Sequence, residues 1–130
     1  MAIEILNTSD TALRFETWGP GYLTRSDDAA FGTVVLRPGD EFGNHLHEHH
    51  TESFFVIAGE AEIWFDRAES ATVSAGDMVR ALPGVEHYLR NTSTSEFRAL
   101  FIKSPWVDQD KIERPWTPEE AALFRGREES

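Results

Sequence analysis

The 130-residue sequence predicts a single all-β domain, a barrel or sandwich. Two observations carry this. Short β-branched and aromatic runs recur about every 8–12 residues, the rhythm of strands in such folds. The breaks between them are turn chemistry: Pro38-Gly39-Asp40, Gly59, Gly76-Asp77, Pro83-Gly84 and the polar stretch 92–96.

The first clear strand is "FGTVVLR" (31–37), stopped by Pro38. "ESFFVIAGE" (52–60) is almost continuously apolar and ends at Gly59. "EAEIWF" (60–65) alternates, with Ala61, Ile63 and Phe65 on one face and Glu60, Glu62 and Trp64 on the other. "ATVSAGD" (71–77) is a short strand and a turn, and "MVRAL" (78–82), "HYLRN" (87–91) and "FRALFIK" (97–103) follow. The barrel is expected over about residues 12–104, with an extension over 105–130. In that extension "SPWVDQDKIERP" reads as irregular. A short helix is expected next, with Thr117 as N-cap, Pro118 at its first position, Glu120 completing a capping box and Gly126 ending it.

Net charge is −11, from 12 basic and 23 acidic side chains. That excludes the basic footprint of a nucleic-acid binder and disfavours anionic membranes. No apolar run is long enough to span a bilayer, and "MAIEILNTSD" has neither part of a signal peptide, so a cytoplasmic protein is expected. Cysteine is absent, so a metal would be held by nitrogen and oxygen.

Four of the five histidines fall in "NHLHEHHTES" (44–53). On a strand, His45 and His47 share a face, roughly 6.5–7 Å apart at Cα, and their imidazoles can converge on one ion. Glu52 lies at an odd offset from His47. It joins them only if the chain turns over 48–51 and restarts as a new strand. His87 arrives from a distant strand just after Pro83-Gly84. Three imidazoles and a carboxylate suit Fe, Mn, Ni, Cu or Zn and leave open positions on a six-coordinate ion. The alternative is a set of surface histidines on a polar hairpin.

The spacing of these residues resembles the two motifs of the cupin family. The first reads Gly39, five residues, His45-Leu46-His47, four residues, Glu52, six residues, Gly59. The second reads Gly76, five residues, Leu82-Pro83-Gly84, two residues, His87, three residues, Asn91, with Leu82 where the family usually has proline. The resemblance implies a double-stranded β-helix, the cupin jelly-roll barrel, to which the short C-terminal helix read above is appended. It also implies one divalent transition metal ion per chain, held by His45, His47, Glu52 and His87, and a homodimer.

Other residues extend this reading. His49 and His50 fit an exposed turn; the sharper alternative brings His49 to the barrel mouth as an acid–base group. His50 falls off the ligand face, so its replacement is expected to leave metal content unchanged. Phe54 shares a face with Glu52 and is a candidate pocket wall, and Tyr22 is a second candidate acid–base residue. Arg80 interrupts an apolar strand, so it either faces out to an acid or faces in to grip an anionic ligand. Trp64 and Tyr88 read as outward-facing aromatics, a surface for a second copy. The expected activity is metal-assisted enolisation of a small oxygen-rich substrate, of isomerase, epimerase or lyase type. An O2-dependent dioxygenase and a non-catalytic binding module are the alternatives.

Overall fold

The computed structural model describes residues 3–120. Among these residues ten strands form two five-stranded antiparallel sheets. The first contains β1 (Gly19–Arg25), β2 (Ala30–Leu36), β4 (Thr51–Ala58), β7 (Met78–Ala81) and β9 (Phe97–Ser104), in the order β1-β2-β9-β4-β7. The second contains β3 (Glu41–His47), β5 (Glu60–Phe65), β6 (Glu69–Ser74), β8 (His87–Arg90) and β10 (Lys111–Glu113), in the order β10-β3-β8-β5-β6. From β2 onward the chain crosses repeatedly between the sheets, which makes a double-stranded β-helix.

Alternation explains the packing. On β4 Glu52, Phe54 and Val56 are buried while Phe55 and Ile57 are exposed. The core between the sheets is built from Val34, Leu36, Phe54, Val56, Ile63, Leu89, Phe97 and Phe101. Gly32 is required at its place on β2, because a Cβ there would come within 2.1 Å of the Phe101 ring. Asn91 closes the barrel at the far end of β8. Its amide donates to Leu36 O (2.9 Å) and Ser95 O (2.7 Å), and its oxygen accepts from the backbone and hydroxyl of Ser93.

The extension differs from the sequence reading. Within the segment expected to be irregular, β10 pairs with β3, setting Lys111 opposite His47 and Glu113 opposite His45. Three residues of ladder carry too little pattern to be seen in a sequence. The helix begins at residues 118–120, with Thr117 Oγ1 accepting from the Glu120 backbone N–H at 3.3 Å. Gly126 lies outside the described residues.

The extension also corrects the reading of Tyr88. That side chain does leave the barrel interior, but it is only 1% exposed, because Trp116 packs edge-on against both Tyr88 and Trp64 and the Tyr88 hydroxyl donates to Glu41. The chain covers this surface itself. The exposed apolar side chains Phe31, Phe55, Ile57 and Met78 lie instead on the first sheet's outer face.

Candidate metal centre

His45 and His47 project inward from β3 and His87 from β8, where His45 and His87 are direct cross-strand partners. After His47 the chain leaves the second sheet through residues 48–50 and enters β4 in the first, which brings Glu52 in from the opposite wall. The odd offset between His47 and Glu52 is thus resolved by a change of sheet. All four side chains are buried, and each offers a donor atom within 4.8 Å of the others.

Glu52 Oε1 is the focus. It lies 2.9 Å from His87 Nε2, 3.0 Å from His47 Nε2 and 3.7 Å from His45 Nε2. Donors at right angles on one ion, each about 2.1 Å from it, stand roughly 3 Å apart, so these separations suit shared coordination. The rings are also oriented for it. His45 Nδ1 is 2.7 Å from Gly43 O and His87 Nδ1 is 3.1 Å from Val85 O. A neutral ring that gives its Nδ1–H to a carbonyl turns a bare Nε2 lone pair inward. Burial, reinforced by the neighbouring His87, pushes His45 down to about 4, so this ring is neutral near pH 7. Burial alone would raise the Glu52 carboxyl, but the contacts from His45, His47 and His87 outweigh it and hold the group ionised, well below the usual range. That stabilisation needs an N–H turned to the carboxylate; where the Nδ1–H groups go to the carbonyls instead, the bare Nε2 lone pairs repel Glu52 Oε1 unless a cation sits between them. The donor set therefore fits a divalent transition metal.

His45, Glu52 and His87 open onto a cavity walled by Val34, Phe54, Leu89 and Phe101. Tyr22, Lys103, Lys111 and Arg14 also line it, with Pro20 and Phe42. Tyr22 and Phe54 are therefore both at the cavity. The Tyr22 oxygen accepts from Lys103 Nζ at 2.7 Å. Lys103 was missed in the sequence, although it continues the inward series Phe97, Phe101 on β9.

Two expectations are corrected. The His49 ring is 61% exposed beside Glu48, outside the cavity, because the turn that carries Glu52 into the first sheet points it to solvent. Arg80 is exposed on the outer face of β7, while its neighbour Ala81 faces in, so it grips nothing inside the barrel. His50, read as an exposed turn residue, is only 2% exposed. It packs against His47 (ring centroids 4.4 Å apart) and stacks on Trp106 (5.7 Å). Asp110, which accepts from the His50 backbone N–H at 3.0 Å, comes from the extension, and no spacing near the histidines points to it.

The family model described as "Cupin domain" matches residues 32–103, and the chain belongs to the cupin family. Over 72 residues it is 28% identical to an "Oxalate-binding protein" of Thermotoga maritima, covering 55% of this chain and 59% of that one. It thus spans under two thirds of that relative's length. A double-stranded β-helix domain protein of Klebsiella pneumoniae superposes with a TM-score of 0.77 at 22% identity, covering 88% of this chain and 99% of that one. The DMSP lyase DddQ of Ruegeria pomeroyi superposes with a TM-score of 0.67 at 21% identity, covering 84% of this chain and 59% of that one. At these identities the structural likeness shows the fold.

Proposed function

We propose that the protein is a metal-dependent enzyme acting on a small oxygen-rich substrate, a hydroxy-carbonyl, sugar-like or keto-acid compound, by enolisation of the isomerase, epimerase or lyase type. The observation that carries this is the shared cavity: the inward nitrogens of His45 and His87 and the Glu52 carboxylate face the same enclosed space as the Tyr22–Lys103 pair. His45, His47, Glu52 and His87 would hold the ion. A bound divalent metal supplies polarisation of a carbonyl oxygen and stabilisation of enolate charge. Tyr22, its oxygen fixed by the Lys103 ammonium, takes or returns the proton beside that carbonyl. Phe54, Leu89 and Phe101 keep the site dry, which strengthens each polar contact inside it. The DddQ likeness supports a lyase on this fold.

The test is proton exchange. Metal-loaded protein is incubated without oxygen in deuterium oxide with a panel of hydroxy-keto acids and sugars, and the α-proton is followed by NMR. Exchange that disappears in Glu52→Ala and in Tyr22→Phe is expected. Consumption only after air is admitted would replace this reading with a dioxygenase. The oxalate-binding relative favours one other reading, a non-catalytic binder, which predicts saturable binding without exchange.

We also propose a homodimer, through the first sheet's outer face. Phe31, Phe55 and Met78 line an apolar cleft there with Leu23, Leu100 and Ile102, a surface that a single chain leaves to water.

A further inference from the structure

The cavity's charge runs against that of the chain. A protein of net charge −11 places Arg14, Lys103 and Lys111 around one small space with Glu52 as the single carboxylate in its lining among the described residues. The cations come from three separate segments: the stretch before β1, strand β9 and strand β10. Register places two of them beside the metal centre, Lys103 across from Glu52 and Lys111 across from His47. They also crowd one another: burial, with Arg14 and Lys103 nearby, holds Lys111 below its usual value. Lys103 is partly buried, with Glu52 Oε2 3.9 Å away, and Lys111 Nζ lies 3.9 Å from Glu113 Oε1. Three clustered cations, one largely buried and two at the mouth, with only long ion-pair contacts to carboxylates, attract an anion.

We propose that the cavity takes a substrate bearing a carboxylate, seated against Lys103 and Lys111 with Arg14 at the mouth while its hydroxy-carbonyl end faces the four metal-ligand side chains. This rests on the metal reading for the second end only. Two probes separate the ends. Hydroxyacetone is a neutral hydroxy-carbonyl, and hydroxypyruvate is the same molecule with its methyl replaced by a carboxylate. Calorimetric titration of metal-loaded protein is expected to show hydroxypyruvate binding at least tenfold tighter. In Lys103→Met/Lys111→Met that preference falls to under threefold while hydroxyacetone binding changes little; in Arg14→Gln, a change at an exposed site, it falls part-way. Equal affinities in the wild type, or a preference that survives the double substitution, would overturn the proposal. Metal content is measured on the same samples. If both compounds bind the metal-free wild type as tightly as the metal-loaded protein, with the preference intact, the carboxylate seat stands and the metal reading falls instead.

A different observation concerns ligand His47. His45 and His87 each pair Nδ1 with a backbone carbonyl, but His47 Nδ1 is buried and has no hydrogen-bond partner among the described residues. Both nitrogens of the adjacent His50 ring are equally unpartnered and buried. Behind His50 stands Asp110, with Oδ2 3.4 Å from His50 Nδ1. The Asp110 carboxylate is fixed by the backbone N–H groups of His49 (2.9 Å) and His50 (3.0 Å). A metal ligand bound through Nε2 needs an acceptor for its other N–H.

We infer that His50, oriented by Asp110, is that acceptor: a positioning residue that receives the His47 Nδ1–H directly or through one bridging water. The readouts are zinc affinity by chelator competition, zinc stoichiometry, and the visible spectrum of cobalt-substituted protein. His50→Ala is expected to weaken zinc binding by about 10–100-fold, the usual cost of losing such support. His50→Gln, whose amide oxygen still accepts, restores most of it and keeps a wild-type-like cobalt spectrum, and Asp110→Asn falls between. Equal loss in the alanine and glutamine variants would reduce His50 to packing and overturn the inference. So would unchanged affinity in His50→Ala, or two zinc ions per chain in the wild type falling to one in that variant, which would make His47, His50 and Asp110 a second cation site.

Discussion

Lys103 stands directly across the β4–β9 ladder from Glu52, with its Nζ 3.9 Å from Glu52 Oε2 and 2.7 Å from the Tyr22 oxygen. One cation therefore touches both the metal-ligand set and the proposed acid–base group. These contacts pull in opposite directions. As a positive charge, Lys103 opposes a metal cation; as a donor, it fixes Tyr22. Lys103→Met is expected to bind zinc slightly tighter, by a few-fold, yet to lose at least about a hundredfold in α-proton exchange, the scale of a lost acid–base contribution. Parallel loss of metal and exchange would show that Lys103 serves only to hold the site together.

The metal-free protein should weaken in mild acid. Burial pushes His45 and His50 each from 6.5 down to about 4 in the folded chain. Between those values the unfolded chain binds more protons, so stability falls as pH drops through the window and these rings add no further loss below it. Glu52, held well below its usual value, loses its contribution at still lower pH. Moving one protonation equilibrium by a single pH unit is worth about 1.4 kcal/mol at most, so the loss from about pH 7 to about pH 4.5 should reach a few kcal/mol. Urea unfolding of chelator-treated protein measures it. Equal midpoints at the two pH values would contradict the buried, neutral state assigned to these rings.

Much of this was legible in the sequence, and the reasons are local. His45, His47, Phe54 and Leu89 follow from strand parity, and Glu52 and His87 from motif spacing. His50, Lys111 and Asp110 were not legible. Their roles depend on the extension folding back along β3, and a three-residue strand leaves no periodic signature. Tyr88 shows the limit of parity: its side chain points out of the barrel, but Trp116 waits there to cover it.

Asn91 ends the second motif, and the structure gives it a holding role rather than a chemical one. It is fully buried and makes four hydrogen bonds, linking β8, the end of β2 and the 92–95 loop. Asn91→Leu strands buried backbone carbonyls and should cost about 2–4 kcal/mol. Metal affinity measured well below the melting temperature should stay near wild type. A loss under about 0.5 kcal/mol would contradict this role.

The assembly prediction separates two surfaces. Phe55→Glu on the exposed face of β4 should convert the homodimer to a monomer by light scattering at micromolar concentration. Trp64→Glu should not do so cleanly, because it disrupts packing against the chain's own Trp116. A wild-type monomer would end the proposal.

The central claim is one transition metal ion held by His45, His47, Glu52 and His87, and elemental analysis of protein purified without added metal tests it most directly. The wild type should carry about one ion per chain. His87→Ala and Glu52→Ala should each carry under a tenth of that while remaining folded, and His49→Ala, altered at an exposed ring, should match the wild type. A metal-free wild type that takes up none when offered zinc, manganese or iron, or equal metal content in the wild type and His87→Ala, would contradict the account.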